Sequence, residues 1–158
     1  MKKKIKIYLI NPEYKLEQHG NWIDLKTRIV THLTVDECFK LIPLNMHTEL
    51  PKWYKAEAKP RSSTYKNFNI LLANSLGEIE ANYGGEWVFP ALFIPSKRGI
   101  VGTDIPEGVR ICQACFKLRE DAPWYMKILD LFTKLEIEYV NRFEDLKSTR
   151  GGLGSTGT

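Results

Sequence analysis

The sequence is poor in the residues that build several kinds of protein. It holds three cysteines in 158 residues, Cys38, Cys112 and Cys115, an odd number that argues against a disulfide framework. Cys112 and Cys115 have metal-motif spacing, but both fall on one predicted strand. Residues three apart on a strand face opposite sides, so no shared metal and no zinc site is expected. The three histidines, His19, His32 and His47, are scattered singly and suit structural or surface positions. No apolar run approaches membrane-spanning length. The basic start is followed by Ile5-Lys6-Ile7-Tyr8-Leu9-Ile10, too short and too charged for the core of a signal peptide. A soluble cytoplasmic protein without membrane association is expected. Charge of one sign is also scarce. With 23 Lys+Arg against 19 Asp+Glu, the net charge of +4 suits an anionic ligand and is too small to argue for a nucleic-acid groove. There is no internal repeat. The C-terminal glycines are followed by no lysine and by too little chain for a helix, which excludes a Walker A loop.

What remains is a globular chain, 43% hydrophobic and 27% charged, long enough for one domain with a proper core. Short β-type runs follow one another with turn signals between them, the pattern of an all-β barrel or sandwich. Strands are expected over 4–10, within 27–35, over 39–50 with an edge or bulge at Pro43, over 53–58, over 86–95 with an interruption at Pro90, over 109–118 and over 135–140. Residues 11–21 and 96–108 are expected to be loops. Trp124, Ile128, Leu131 and Leu135 have helical spacing, so a short helix is expected over 124–133, at a subunit contact, over the barrel end or, the preferred reading, packed in the core. The domain is expected to span residues 1–147. From Ser148 the composition turns to Gly, Ser and Thr, as in a flexible tail over 148–158.

The stretch from Asn74 to Tyr83 reads as two short strands folded over a turn, with a carboxylate, Glu80, and an aromatic ring, Tyr83, three residues apart. That arrangement suits a pocket that holds a flat ring and activates a water. Arg61 offers a planar fork of donors to phosphate oxygens, and Ser62 and Ser63 add hydroxyl donors at the same turn. Arg110 and Gln113 lie three apart on a strand and face opposite sides if it is regular. Arg150, Ser155 and Thr156, among four glycines, could wrap backbone N–H groups around an anion.

In order along the chain, these motifs resemble those of the trimeric dUTPase family, particularly its phage and prophage forms. The first is matched by Trp22-Ile23-Asp24-Leu25, with Trp where Gly is usual. The second is matched by Arg61 and Ser62, with Ser63 where many members have Gly. The third is matched by Asn74, Gly77, Ile79 and Tyr83. The fourth is matched by Gly108, Arg110, Ile111 and Gln113, and the fifth by Gly151, Gly152, Gly154, Ser155, Thr156 and Gly157. The resemblance implies a homotrimer of distorted, jelly-roll-like β-barrels with three shared sites. One subunit supplies the first, second and fourth motifs, a neighbour the third, and the third subunit the tail.

It also implies hydrolysis of dUTP to dUMP and pyrophosphate. Glu80, Asp24 and Gln113 would be the catalytic groups, and Mg²⁺ would be held mainly by the triphosphate and waters rather than by direct protein ligands. The hairpin backbone around Asn74, Gly77 and Ile79 would hold uracil, and the Tyr83 ring would pack on the deoxyribose and exclude a 2′-hydroxyl. Arg61, Ser62, Ser63, Arg110, Arg150, Gly152, Leu153, Gly154, Ser155 and Thr156 would complete the substrate site. The sequence departs from the family at four places. Glu80 replaces the Asp that activates water, Gly84 a longer side chain, and Leu153 the Phe that stacks over the base, while Arg150 sits closer to the glycine pair. Three alternatives follow: a dCTP deaminase of the same fold, a nucleotide-binding regulator with a protein partner, and a pyrophosphatase for a modified pyrimidine nucleotide.

Overall fold

The structure is a computed structural model and describes residues 2–147. The fold is mostly β. Its strands are β1 (Lys2–Leu9), β2 (Glu17–His19), β3 (Trp22–Lys26), β4 (Thr31–Thr34), β5 (Phe39–Pro43), β6 (Met46–Glu49), β7 (Tyr54–Pro60), β8 (Ile70–Leu72), β9 (Gly77–Ile79), β10 (Val88–Phe93), β11 (Gly102–Ile105), β12 (Arg110–Leu118) and β13 (Lys134–Val140). Two short helices interrupt them, α1 (Thr64–Phe68) and α2 (Trp124–Asp130). Among the described residues no helix is long and apolar enough to cross a membrane.

Four sheets enclose one core. Their strand orders are β13-β1-β6, β5-β10-β8, β11-β4 and β2-β3-β12-β7-β9. The core draws on all four, with Ile5, Leu25, Leu33, Met46, Ile70, Trp87, Phe89 and Ile105 almost fully buried. Each such side chain stabilises the fold by about 1.5–3 kcal/mol over its exposed state. Trp87 donates its indole N–H to the Thr48 hydroxyl at 3.1 Å, so its polar edge is satisfied inside the core.

Local chemistry explains several elements. The expected run over 39–50 is two strands, because Asn45 takes a left-handed φ of 65° between them, its own side-chain amide donates to Asn11 O at 2.9 Å and its Oδ1 accepts the Asn11 N–H at 2.7 Å. Pro43 ends β5, an edge strand, as a residue without an N–H should. Pro90 lies inside the central strand β10. Its carbonyl accepts from Ala73 N–H at 2.8 Å, so its donorless nitrogen faces the same side, just beyond the end of β8.

Two expected loops contain strands. β2 lies within 11–21 and forms a hairpin with β3 through Gly20 and Asn21, with Gly20 at φ 61°. β11 lies within 96–108 and pairs with β4. The stretch 74–83 is not a simple hairpin either. β8 pairs with β10 and β9 with β7, so residues 73–76 turn a corner between sheets. The expected helix forms, but the preferred core packing does not. Only Met126 is buried, while Trp124 is 74% and Leu131 80% exposed.

Candidate active site

The bulge in β12 organises the site. Arg110 pairs with Lys26, Cys112 with Leu25 and Gln113 with Asp24, so Ile111 is the extra residue. A regular strand would place Arg110 and Gln113 on opposite faces. The inserted residue cancels that alternation and brings both onto the outer face with Asp24. Ile111 and Cys112 consequently both point inward, fully buried. Burial pushes the Cys112 thiol up to about 12, which leaves it an inert core group.

The bulge also anchors the second motif. The Ile111 carbonyl accepts the Arg61 N–H at 3.2 Å and the buried Thr64 hydroxyl at 2.6 Å. Arg61 follows β7, and Ser63 opens α1 as its N-cap without a side-chain cap bond. The Arg61 guanidinium is thereby carried over β12 to Asp24. Its Nε lies 3.1 Å from Asp24 Oδ2, and Arg110 Nη1 lies 3.6 Å from the same oxygen. Asp24 is only 3% exposed, and this oxygen has no aligned hydrogen bond. Two guanidinium groups therefore converge on one buried carboxylate through charge rather than through closed hydrogen bonds.

Glu17, Asp24, Gln113 and Lys59 form one row across four strands. Glu17 binds Arg110 at 2.6 Å and Lys26 at 3.0 Å. The Lys26 ammonium, and behind it Arg110, hold the Glu17 carboxyl below its ordinary value. His19 Nε2 lies 3.7 Å from Asp24 Oδ2, and Lys59 Nζ sits 3.8 Å above the Trp22 ring. Sequence reasoning missed Glu17, His19, Lys59 and Thr64. The Gly20-Asn21 pair before Trp22 is a two-residue hairpin signal that would have placed Glu17 and His19 beside Asp24.

Glu80 and Tyr83 lie elsewhere. The turn that follows β9 is closed by Tyr83 N–H donating to Glu80 O at 3.1 Å. Glu80 is exposed and lines a cleft of about 490 Å³ with Lys52, Arg119 and Lys147 among its rim residues. Ile79 pairs with Ala56, which sets Glu80 level with Lys55 at the start of β7. Arg61 follows the other end of that strand, six residues on, or roughly 20 Å at 3.3 Å per residue. Asn74 is exposed at the corner, and Gly77 pairs with Ala58, three residues before Arg61. Ile79 and Tyr83 pack against the edge of the core. The described part of one chain thus brings Asp24, Arg61, Arg110 and Gln113 together, with Ser62 and Ser63 beside them, and holds Glu80 and Tyr83 apart. Arg150, Gly152, Leu153, Gly154, Ser155 and Thr156 lie outside the described residues.

No group of three or more His, Cys, Asp or Glu side chains is arranged to hold a metal among the described residues. Asp24 is buried against two guanidinium groups and is not placed to ligate a cation directly, and a cation held by a ligand's phosphates and by waters needs no such ligand.

A mostly β fold of four sheets, with two guanidinium groups about a buried carboxylate on one outer face, is an arrangement able to receive an anion. Comparison narrows it. The chain is 40% identical over 147 residues to the SPbeta prophage-derived deoxyuridine 5′-triphosphate nucleotidohydrolase of Bacillus subtilis, covering 91% of this chain and 88% of that one. It is 31% identical over 157 residues to the deoxyuridine 5′-triphosphate nucleotidohydrolase of Rickettsia prowazekii, covering 98% and 94%. Its fold superposes on the dUTPase of Streptococcus mutans with a TM-score of 0.65 at 17% identity, over 75% of this chain and 98% of that one. No family model matches. The chain belongs to the dUTPase family.

Proposed function

We propose that the protein hydrolyses dUTP to dUMP and pyrophosphate, limiting uracil incorporation into DNA and supplying dUMP, at a site built from more than one subunit of a homotrimer. The observation that carries this reading is the split of the site residues. Arg61, Arg110, Asp24 and Gln113 form a phosphate-type cluster whose carboxylates, Asp24 and Glu17, already face guanidinium and ammonium groups, and Glu80 lies roughly 20 Å away along β7. A second copy of the chain is the simplest source of the missing half. The outer face of the β5-β10-β8 sheet supports association, since Phe39 is 52%, Leu41 46% and Leu71 41% exposed on one apolar face.

In this reading Arg61 and Arg110 bind the triphosphate, with Ser62 and Ser63 donating beside them. Asp24 aims both forks by charge, and Gln113 holds the row between β3 and β7. Glu80 of a neighbour takes the proton of the attacking water, which needs a carboxylate within about 2.6–3.2 Å of that water. The turn backbone around Asn74, Gly77 and Ile79 holds the base, and Tyr83 packs on the sugar. Arg150, Gly152, Leu153, Gly154, Ser155 and Thr156, which lie outside the described residues, are the further groups that the family resemblance assigns to the substrate site. Mg²⁺, which the family resemblance implies, would be held by the triphosphate and waters and would offset charge on the phosphates.

Glu80 supports a second reading. Its side chain is one methylene longer than that of Asp, which favours a weak hydrolase acting as a nucleotide-binding regulator or an enzyme for a modified pyrimidine. Pyrophosphate release from dUTP, dCTP, dTTP and 5-hydroxymethyl-dUTP separates these. dUTP is expected to be turned over fastest. Nucleotide binding without release from any of the four contradicts the proposal.

A further inference from the structure

We propose that Gly85, Glu86 and Arg28 form a clamp that fixes the Tyr83 ring and thereby sets the enzyme's preference for a deoxyribonucleotide over a ribonucleotide. This rests on the reading of Tyr83 as the residue that packs on the sugar. Tyr83 is half-buried at the end of the Glu80 turn, and its hydroxyl donates to the Glu86 carbonyl at 2.9 Å. The ring is folded over Gly85. A Cβ at position 85 would sit 2.6 Å from Tyr83 Oη and 2.8 Å from Cζ, closer than real atoms approach. Residue 85 is therefore small because the ring occupies the space a side chain would take.

Glu86 is itself pinned. Arg28 grips its carboxylate with both arms of a fork, Nε to Oε1 at 2.8 Å and Nη2 to Oε2 at 2.9 Å. Asn45 N–H adds a third bond to Oε1 at 3.1 Å. The neighbouring Trp87 is buried in the core, and its N–H donates to Met46 O at 2.9 Å. The carbonyl that receives the Tyr83 hydroxyl is thus held from both sides, by a bidentate ion pair and by a core tryptophan. Burial, with the Glu86 charge behind it, lifts the Tyr83 phenol above its ordinary value, so the hydroxyl stays a donor at neutral pH. A ring held this way cannot retreat when a ribose offers an extra hydroxyl, and rejection of that hydroxyl by shape requires such a ring.

The test compares kcat/KM for dUTP and UTP in Gly85→Ala, Tyr83→Phe and Tyr83→Ala, with thermal midpoints measured alongside. In Gly85→Ala the added Cβ meets Oη and Cζ of Tyr83, so the ring must give up its place, and the thermal midpoint reports what that displacement costs the fold. The dUTP-over-UTP ratio should fall by about tenfold or more, since displacement of a positioning group by roughly 1 Å costs on the order of a hundredfold. Tyr83→Phe keeps the ring but loses the bond to Glu86 and should fall between wild type and Gly85→Ala. Tyr83→Ala should discriminate least. If Tyr83→Ala lowers the ratio while Gly85→Ala and Tyr83→Phe keep the wild-type value, the clamp is wrong and the sugar role of Tyr83 stands. If Tyr83→Ala also keeps the wild-type ratio, the sugar role fails and the clamp with it. A fall in thermal midpoint without a change in ratio overturns the proposal as well, because it reveals a purely structural contact.

Discussion

The extra residue at Ile111 changes what its neighbours can reach. It turns Arg110 onto the face of Asp24 and Gln113, and its carbonyl ties down Arg61 and Thr64. Charged residues 37 to 86 positions apart in the sequence (Asp24, Arg61 and Arg110) are thereby held within 3.6 Å of one carboxylate oxygen. Glu80 poses the opposite problem, since in the proposed reading it acts with one methylene more than an Asp would have. Its turn carries Ala81, Asn82, Tyr83 and Gly84, and Gly84 adds no side chain that would fix the turn's depth. A turn that sits further back lets the longer side chain end where the shorter one would. Glu80→Gln should then abolish pyrophosphate release while nucleotide still binds, because the amide keeps the shape but takes no proton. Glu80→Asp should lower turnover by about tenfold to a hundredfold, as expected for a misplacement near 1 Å. Steady-state kinetics with equilibrium binding checks both, and a Glu80→Asp variant faster by orders of magnitude would mean that the natural protein is an impaired enzyme.

At the scale of elements, β9 is the weak member. It has three residues, lies at a sheet edge and carries Glu80 at its end. Lys55, nearly buried, holds it from β7. Its ammonium meets Glu78 at 2.9 Å, Glu120 at 2.7 Å and Glu57 at 3.8 Å. Lys117 also contacts Glu57 and Glu120. Lys55 above all, then a backbone N–H of Glu120 itself and, last, Lys117 bring the Glu120 carboxyl down to about 2 from an ordinary 4.5. A depressed carboxyl contributes stability that is fully present above pH 4.5 and lost as pH falls through about 2. The gap in thermal midpoint between wild type and Glu120→Gln should therefore be widest above pH 4.5 and close towards pH 2. A gap that is constant over this window would show that the network does not hold the strand.

The same scale shows what could be read from the residues alone. Strands with strong apolar patterning, such as β1, β7, β10 and β12, were legible because each buries alternate or continuous side chains. β2 and β11 were not, since Glu17-Gln18-His19 buries nothing and Gly102-Thr103-Asp104-Ile105 buries only its last residue. The motif residues Asp24, Arg61, Arg110 and Gln113 were legible through their order along the chain. Their common face was not, because it depends on a one-residue bulge that leaves no mark on composition. The helix at 124–130 was legible from its spacing, but spacing does not say which side its apolar residues meet. Trp124, Ile128 and Leu131 face outward, which fits the subunit-contact reading set aside for core packing.

For the whole molecule, the two groups of proposed site residues lie at opposite ends of β7, and α2 and the outer β5-β10-β8 face expose apolar side chains. A closed three-fold ring needs two different surfaces per chain that meet head to tail, and these two are candidates among the described residues. The central claim is that Arg61 of one subunit and Glu80 of another serve the same dUTP. Complementation between Arg61→Ala and Glu80→Gln tests it most directly. Each variant alone should release almost no pyrophosphate from dUTP. Trimers reassembled from an equal mixture should recover about a quarter of wild-type activity, because in a head-to-tail ring each site has one chance in four of drawing an intact arginine and an intact carboxylate from different chains. Mixed trimers as inactive as either parent would contradict the account, because they would place both residues of each working site on a single chain.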